Sequence, residues 1–140
     1  RDRSVSRGLG DVYKRQDKFD YVVIDGEAGI EQINRRVMEK VTHLLLVTDA
    51  SKKGCQVVQT IKKVADELVM YDRIGVIANR IPDMEVAKLM DIGDLELLSV
   101  IQSDSKLAQA DVLGENVFNL PNDSIIVEGA KKALVNMGIL

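Results

Sequence analysis

Residues 44–69 read LLLVTDASKKGCQVVQTIKKVADELV. Leu44 to Val47 form a continuous apolar run of strand length, the character of a parallel strand buried on both faces. A helix is expected from about Lys53 to Val69. Val57, Val58, Ile61, Val64, Ala65 and Leu68 make its apolar stripe. The same alternation extends in both directions. Upstream, Tyr21-Val22-Val23-Ile24 reads as a first strand, and Ile30 to Lys40 as a helix with Ile30, Ile33 and Val37 on one face. Downstream, a third strand is expected over Ile74–Ala78 and a short helix over Met84–Met90, carrying Val86 and Leu89. A fourth strand covers Glu96–Ile101, then a helix runs from about Lys106 to Leu113 with Gly114 as its C-cap. The last helix runs from a cap at Asn122 or Asp123 to about Met137. The order β-α-β-α-β-α-β-α-α implies an α/β fold, a parallel sheet with helices on both faces. In such open sheets ligands bind at the carboxyl ends of the strands.

The chain has 140 residues, the size of one small domain. Apolar residues make up 46% and charged ones 29%, so a core is affordable and the class is soluble globular. Aromatics are 4% with no Trp, so Val, Ile, Leu and Ala must build that core. The one cysteine, Cys55, reads as buried filler in a reduced, cytoplasmic setting. His43 reads as structural. Residues 1–16, RDRSVSRGLGDVYKRQ, carry five Lys/Arg against two acids, so the remaining chain is strongly acidic. That acidity argues against nucleic acid as a partner. The first sixteen residues lack any helical or alternating pattern. They could be a basic arm, a loop of a longer protein, or a non-native, adapter-derived segment. The abrupt change of composition at Asp17 favours the last, and they stand outside the fold argument.

The chemistry-bearing residues fall at strand ends. Asp25 closes the first strand, in the pattern of a Walker B acid, which holds the Mg²⁺ shell through water. It is equally the pattern of a capping acid in a β-α loop. Gly26-Glu27-Ala28-Gly29 follows; its glycines would let backbone approach a phosphate, or simply make a tight turn. Asn79-Arg80 ends the third strand. Its amide could turn a loop or pair with an adenine edge, having both donor and acceptor. Gln102-Ser103-Asp104 ends the fourth strand beside it, so two polar strand ends make a candidate base pocket.

DYVVIDGEAGIEQINRR (20–36), LLLVTDAS (44–51), GVIANRI (75–81) and VIQSDSKLAQADVLGENVFNLPNDSIIVEGAKKAL (100–134) resemble, in order, the carboxyl half of the deviant-Walker P-loop ATPases. That group includes the MinD, ParA and nitrogenase iron proteins. The Asp-Gly-Glu-Ala-Gly-Ile-Glu run is most similar to the accessory ATPases of carbon monoxide dehydrogenase maturation, the CooC type. The resemblance implies that Asp25 is the Walker B acid and that Gly26 to Gly29 are switch II, with Gly29 facing the γ-phosphate. It assigns Glu27 to the switch, Asn79 to the adenine, Arg80 to its flank, and Gln102 to the loop near the base. It further implies ATP and Mg²⁺ as cofactors, an ATP-dependent homodimer, and nickel insertion into a client metalloenzyme such as carbon monoxide dehydrogenase. The phosphate loop, switch I and Cys-x-Cys motif of that group do not occur in these residues. Residues 17–140 are therefore expected to be the carboxyl-terminal part of one P-loop ATPase domain, inactive by themselves. A MinD- or ParA-like positioning ATPase is the alternative, and a non-enzymatic interaction module a second. The C-terminal EGAKKALVNMGIL has no aromatic anchor, so no membrane partner is expected.

Overall fold

The structure is a computed structural model that describes residues 19–26 and 40–140. Three strands form one parallel sheet in the order β1-β2-β3: β1 (His43–Thr48), β2 (Arg73–Ile81) and β3 (Leu97–Gln102). Helix α1 (Lys52–Leu68) joins β1 to β2, and the short α2 (Met84–Lys88) lies between β2 and β3. After β3 come α3 (Ser105–Val112), a 3₁₀ turn at Val117–Asn119, and α4 (Ile125–Asn136).

The two faces of the sheet follow the strand alternation. Leu44, Leu46 and Val76 face α1 and meet Cys55, Val58 and Ala65, which recur at helical spacing. Leu45, Ile77 and Leu98 lie in the cluster with Ala133 of α4 and Met137 at its C-cap. The α4 stripe uses small residues, so the helix comes close to the sheet. A Cβ at Gly129 would overlap Ile101, and Ala133 is fully buried. Gly75 has a similar reason: a Cβ there would stand 2.5 Å from Leu98 Cδ1. Burying a side chain such as Val58 or Leu98 contributes about 1.5–3 kcal/mol, so the two faces together hold the layers. Helices on both faces of a parallel sheet match the α/β architecture read from the sequence.

Several boundaries differ from expectation. Tyr21–Ile24 joins no ladder: Val23 is 92% exposed, and the described contact of the stretch is Tyr21 Oη donating to the Ile139 carbonyl at 3.5 Å. A strand needs a hydrogen-bonded neighbour, and no described strand lies alongside this one. The helix expected over Ile30–Lys40 lies outside the described residues, except that Lys40 bridges Met70. α4 is capped by Ser124, whose Oγ accepts from the Val127 N–H at 3.3 Å, rather than by Asn122 or Asp123. A cap must accept from a first-turn N–H, and Ser124 stands at that offset. Leu89, expected within α2, is its C-cap and is 83% exposed. Gly114 behaves as expected, at φ 68° just past the end of α3.

Candidate functional site at the carboxyl edge of the sheet

β1, β2 and β3 run parallel, so their carboxyl ends open on one edge. β1 delivers Thr48 and Asp49. Thr48 is buried and donates from Oγ1 to the Asp49 carbonyl at 3.1 Å. Asp49 Oδ1 accepts from the Ser51 N–H at 3.0 Å and from Ser51 Oγ at 2.6 Å. Ser51 in turn caps α1, its Oγ accepting from the Gly54 N–H at 3.0 Å. The turn is tight around Gly54. A Cβ there would overlap Thr48 Oγ1 and lie 2.6 Å from Asp49 Oδ1. The Ser51 hydroxyl, and then the Ser51 N–H, hold the Asp49 carboxyl below the usual carboxylate range, and the Arg80 charge adds to this.

β2 ends in a bulge. Ala78 pairs with Val100 and Ile81 with Gln102, so Asn79 and Arg80 together oppose the single residue Ile101. Bulges of this kind re-aim side chains and recur beside active sites. Arg80 sits at φ 57°, in the left-handed region that an arginine rarely adopts. Asn79 Oδ1 accepts from the Arg80 N–H at 3.0 Å and props that conformation. This leaves the Asn79 amide N–H groups and a second oxygen lone pair for a ligand. β3 contributes Gln102, exposed beside Ile81, and Ser103, whose N–H donates to the Ile81 carbonyl at 2.9 Å. Asp104 then caps α3, accepting from the Lys106 N–H at 2.9 Å.

Of the residues singled out in the sequence, Asn79, Arg80 and Gln102 share this edge. Asp25 and Gly26 are exposed at the end of the unpaired stretch. Glu27 and Gly29 lie outside the described residues. Sequence reasoning assigned nothing to Asp49 or Ser51. Their signal was local: an acid two residues before a serine at a helix start, which is Asx-turn and N-cap chemistry. Away from the edge, a depression of about 380 Å³ lies between β3 and α4, lined by Ser99, Ile125, Gly129 and Lys132 among others. The Ser99 hydroxyl is buried there without a hydrogen-bond partner among the described residues. Among the described residues no cluster of three or more His, Cys, Asp or Glu is arranged to hold a metal ion. No described helix is long and apolar enough to cross a membrane.

A parallel sheet between helix layers, with polar loops gathered at its carboxyl edge, is an open α/β architecture of the kind that binds ligands at that edge. The cell division ATPase MinD of Pyrococcus furiosus has the same fold, with a TM-score of 0.66 over 91% of this chain and 55% of that one, at 20% sequence identity. By sequence the chain is similar to two proteins of Methanocaldococcus jannaschii. One is the uncharacterized ATP-binding protein MJ0685, 34% identical over 127 residues, or 84% of this chain and 49% of that protein. The other is the uncharacterized ATP-binding protein MJ0823, 30% identical over 100 residues, or 69% of this chain and 38% of that protein. The chain thus spans half or less of the curated relatives it matches. No protein-family profile matches it.

Proposed function

We propose that the intact protein is a MinD-like ATPase that binds ATP with Mg²⁺, and that residues 17–140 are the carboxyl-terminal part of its single domain, supplying the base side of the site together with the Mg²⁺ acid and the switch. The carrying observation is the bulge at the end of β2, which turns Asn79 and Arg80 out at the carboxyl edge next to Gln102. The ATP-binding relatives and the MinD-type fold support this reading. In it, the free amide groups of Asn79 read the adenine edge, Arg80 flanks the base, and Gln102 borders the pocket. Asp25 holds the water shell of Mg²⁺, while Gly26, Glu27 and Gly29 form the switch that faces the γ-phosphate, where Mg²⁺ neutralises charge during transfer. ATP-dependent pairing of two copies and a cytoplasmic location belong to the same proposal.

The findings favour this broader ATPase over the narrower role of inserting nickel into carbon monoxide dehydrogenase. The relatives are described as ATP-binding, and the fold neighbour is a cell-division ATPase. The nickel role rests on motif order and on residues 25–31, most of which lie outside the described residues. The test is calorimetric titration of the intact protein with Mg-ATP. Wild type is expected to bind well below millimolar, Asn79→Ala about tenfold more weakly and with less preference for adenine. The 140-residue chain, lacking a phosphate loop, is expected to bind no tighter than about 1 mM. Tight, Mg-dependent ATP binding indifferent to Asn79→Ala would place the base elsewhere.

A further inference from the structure

Arg80 is exposed, and its backbone is left-handed within the β2 bulge. Among the described residues it takes part in none of the ion pairs, which join Lys62 to Asp66, Arg73 to Glu96 and Lys88 to Glu85. Asp49 stands at the neighbouring strand end. The register that places Thr48 beside Ala78 brings Asp49 next to the Asn79-Arg80 bulge. Both of its hydrogen bonds from Ser51 fall on Oδ1, so Oδ2 keeps its lone pairs. Because Ser51 is itself the cap of α1, this carboxylate is anchored to a helix start.

We propose that Asp49 is a positioning residue for Arg80: a carboxylate pinned to the start of α1 supplies the fixed negative charge that holds the guanidinium at the base side of the site. The inference rests on the ATP-site reading and deepens it. An exposed arginine samples many rotamers, and a fixed anion nearby narrows them. The two groups are close enough for the Arg80 charge to act on Asp49, yet they form no ion pair within 4.0 Å. Among the described residues, the guanidinium donors therefore stay available to a ligand.

The test compares the intact wild type with Asp49→Asn, Asp49→Ala, Arg80→Ala and the double variant Asp49→Asn/Arg80→Ala. Mg-ATP affinity and Tm are measured for each. Asparagine at 49 can accept the same two bonds from Ser51, so it keeps the turn and removes the charge. Asp49→Asn is expected to melt with wild type and to bind ATP about three- to fivefold more weakly, the scale of one exposed charge pair. Added to Arg80→Ala, it should cost nothing further. If Asp49→Asn binds like wild type while Asp49→Ala is weak, the residue merely builds the turn and the proposal falls. If the Asp49→Asn and Arg80→Ala losses simply add, it falls as well. Failure of wild type itself to bind ATP would overturn the site reading, and this inference with it, a result recognisable because no variant would then differ.

Discussion

At the carboxyl edge of the sheet, polar side chains bond mostly to backbone, the Ser51–Asp49 contact excepted; at the amino edge they bond to one another. Asp49, Ser51, Asn79 and Asp104 each accept from a main-chain N–H within three residues. At the other end, Lys62 Nζ lies 2.7 Å from Asp66 Oδ2, the Tyr71 hydroxyl donates to Asp66 Oδ1, and Arg73 pairs with Glu96 at 3.3 Å. The first arrangement shapes loops and, among the described residues, leaves Arg80 outside the ion pairs. The second ties α1 to the chain entering β2, and β2 to the entry of β3. Mutations should therefore separate the two ends. Changes at the carboxyl edge should move ligand binding, and some should even raise stability. Changes at the amino edge should move stability alone.

The largest expected effect is Gly54→Ala. Alanine favours a helix over glycine by about 1 kcal/mol, yet here its Cβ must displace Thr48 or Asp49. Overpacking of this kind costs about 1–3 kcal/mol. A net loss of up to about 2 kcal/mol by urea denaturation is expected, together with weaker ATP binding in the intact protein. Wild-type stability for Gly54→Ala would show that the Asp49–Ser51 turn yields easily, and the contrast between the edges would weaken.

Arg80→Gly tests the same edge in the opposite sense. A non-glycine residue in a strained region costs of order 1–3 kcal/mol, and glycine relieves it at some expense in unfolded-state entropy. The variant is expected to be about 0.5–1 kcal/mol more stable than wild type, while the intact protein loses ATP affinity. Gain of stability with loss of binding is the signature of strain held for function. Loss of both would mean that the Arg80 side chain supports the fold.

How far the sequence made this legible depends on the physics of each signal. β1, β2 and α1 were readable because burial leaves a period. Leu44 and Leu46 face one layer, Leu45 the other, and Cys55, Val58 and Ala65 recur along α1. The stripe was drawn too wide, since Val57 and Leu68 sit at its rim, 40% and 38% exposed. Asn79 and Arg80 were found as strand-end polar residues, but β2 runs on to Ile81, past the expected end at Ala78. The cause is the bulge: one extra residue in one strand depends on the partner's register and leaves no trace in a two-residue period. Asp49 was missed for a related reason. Its turn has a local signal, but the role proposed for it comes from lying beside Arg80 across two strands, a proximity that no local pattern contains. Tyr21–Ile24 shows the converse error, because β-propensity in a run of four cannot supply the neighbour that a strand requires.

The smallest expected effect is at the amino edge, with Tyr71→Phe. Lys62 first, and then Tyr71, hold the Asp66 carboxyl below its ordinary range, while Asp66 raises both Lys62 and Tyr71. The lowered Asp66 contributes stability above its unfolded value, about pH 4, and loses it as pH falls through the folded value. The raised Tyr71 and Lys62 contribute below about pH 10 and lose their share as pH rises through their folded values. The cluster is thus at full strength across neutral pH. Asp66 is 44% exposed, so solvent screens the pair and the hydrogen bond contributes modestly. Tyr71→Phe is expected to cost about 0.5–1 kcal/mol. The difference from wild type should be flat from about pH 5 to about pH 9 and shrink on either side, while ATP binding by the intact protein stays at the wild-type level. A change in ATP affinity from this substitution would mean that the two ends of the sheet are coupled, and the division of labour between them would have to be abandoned.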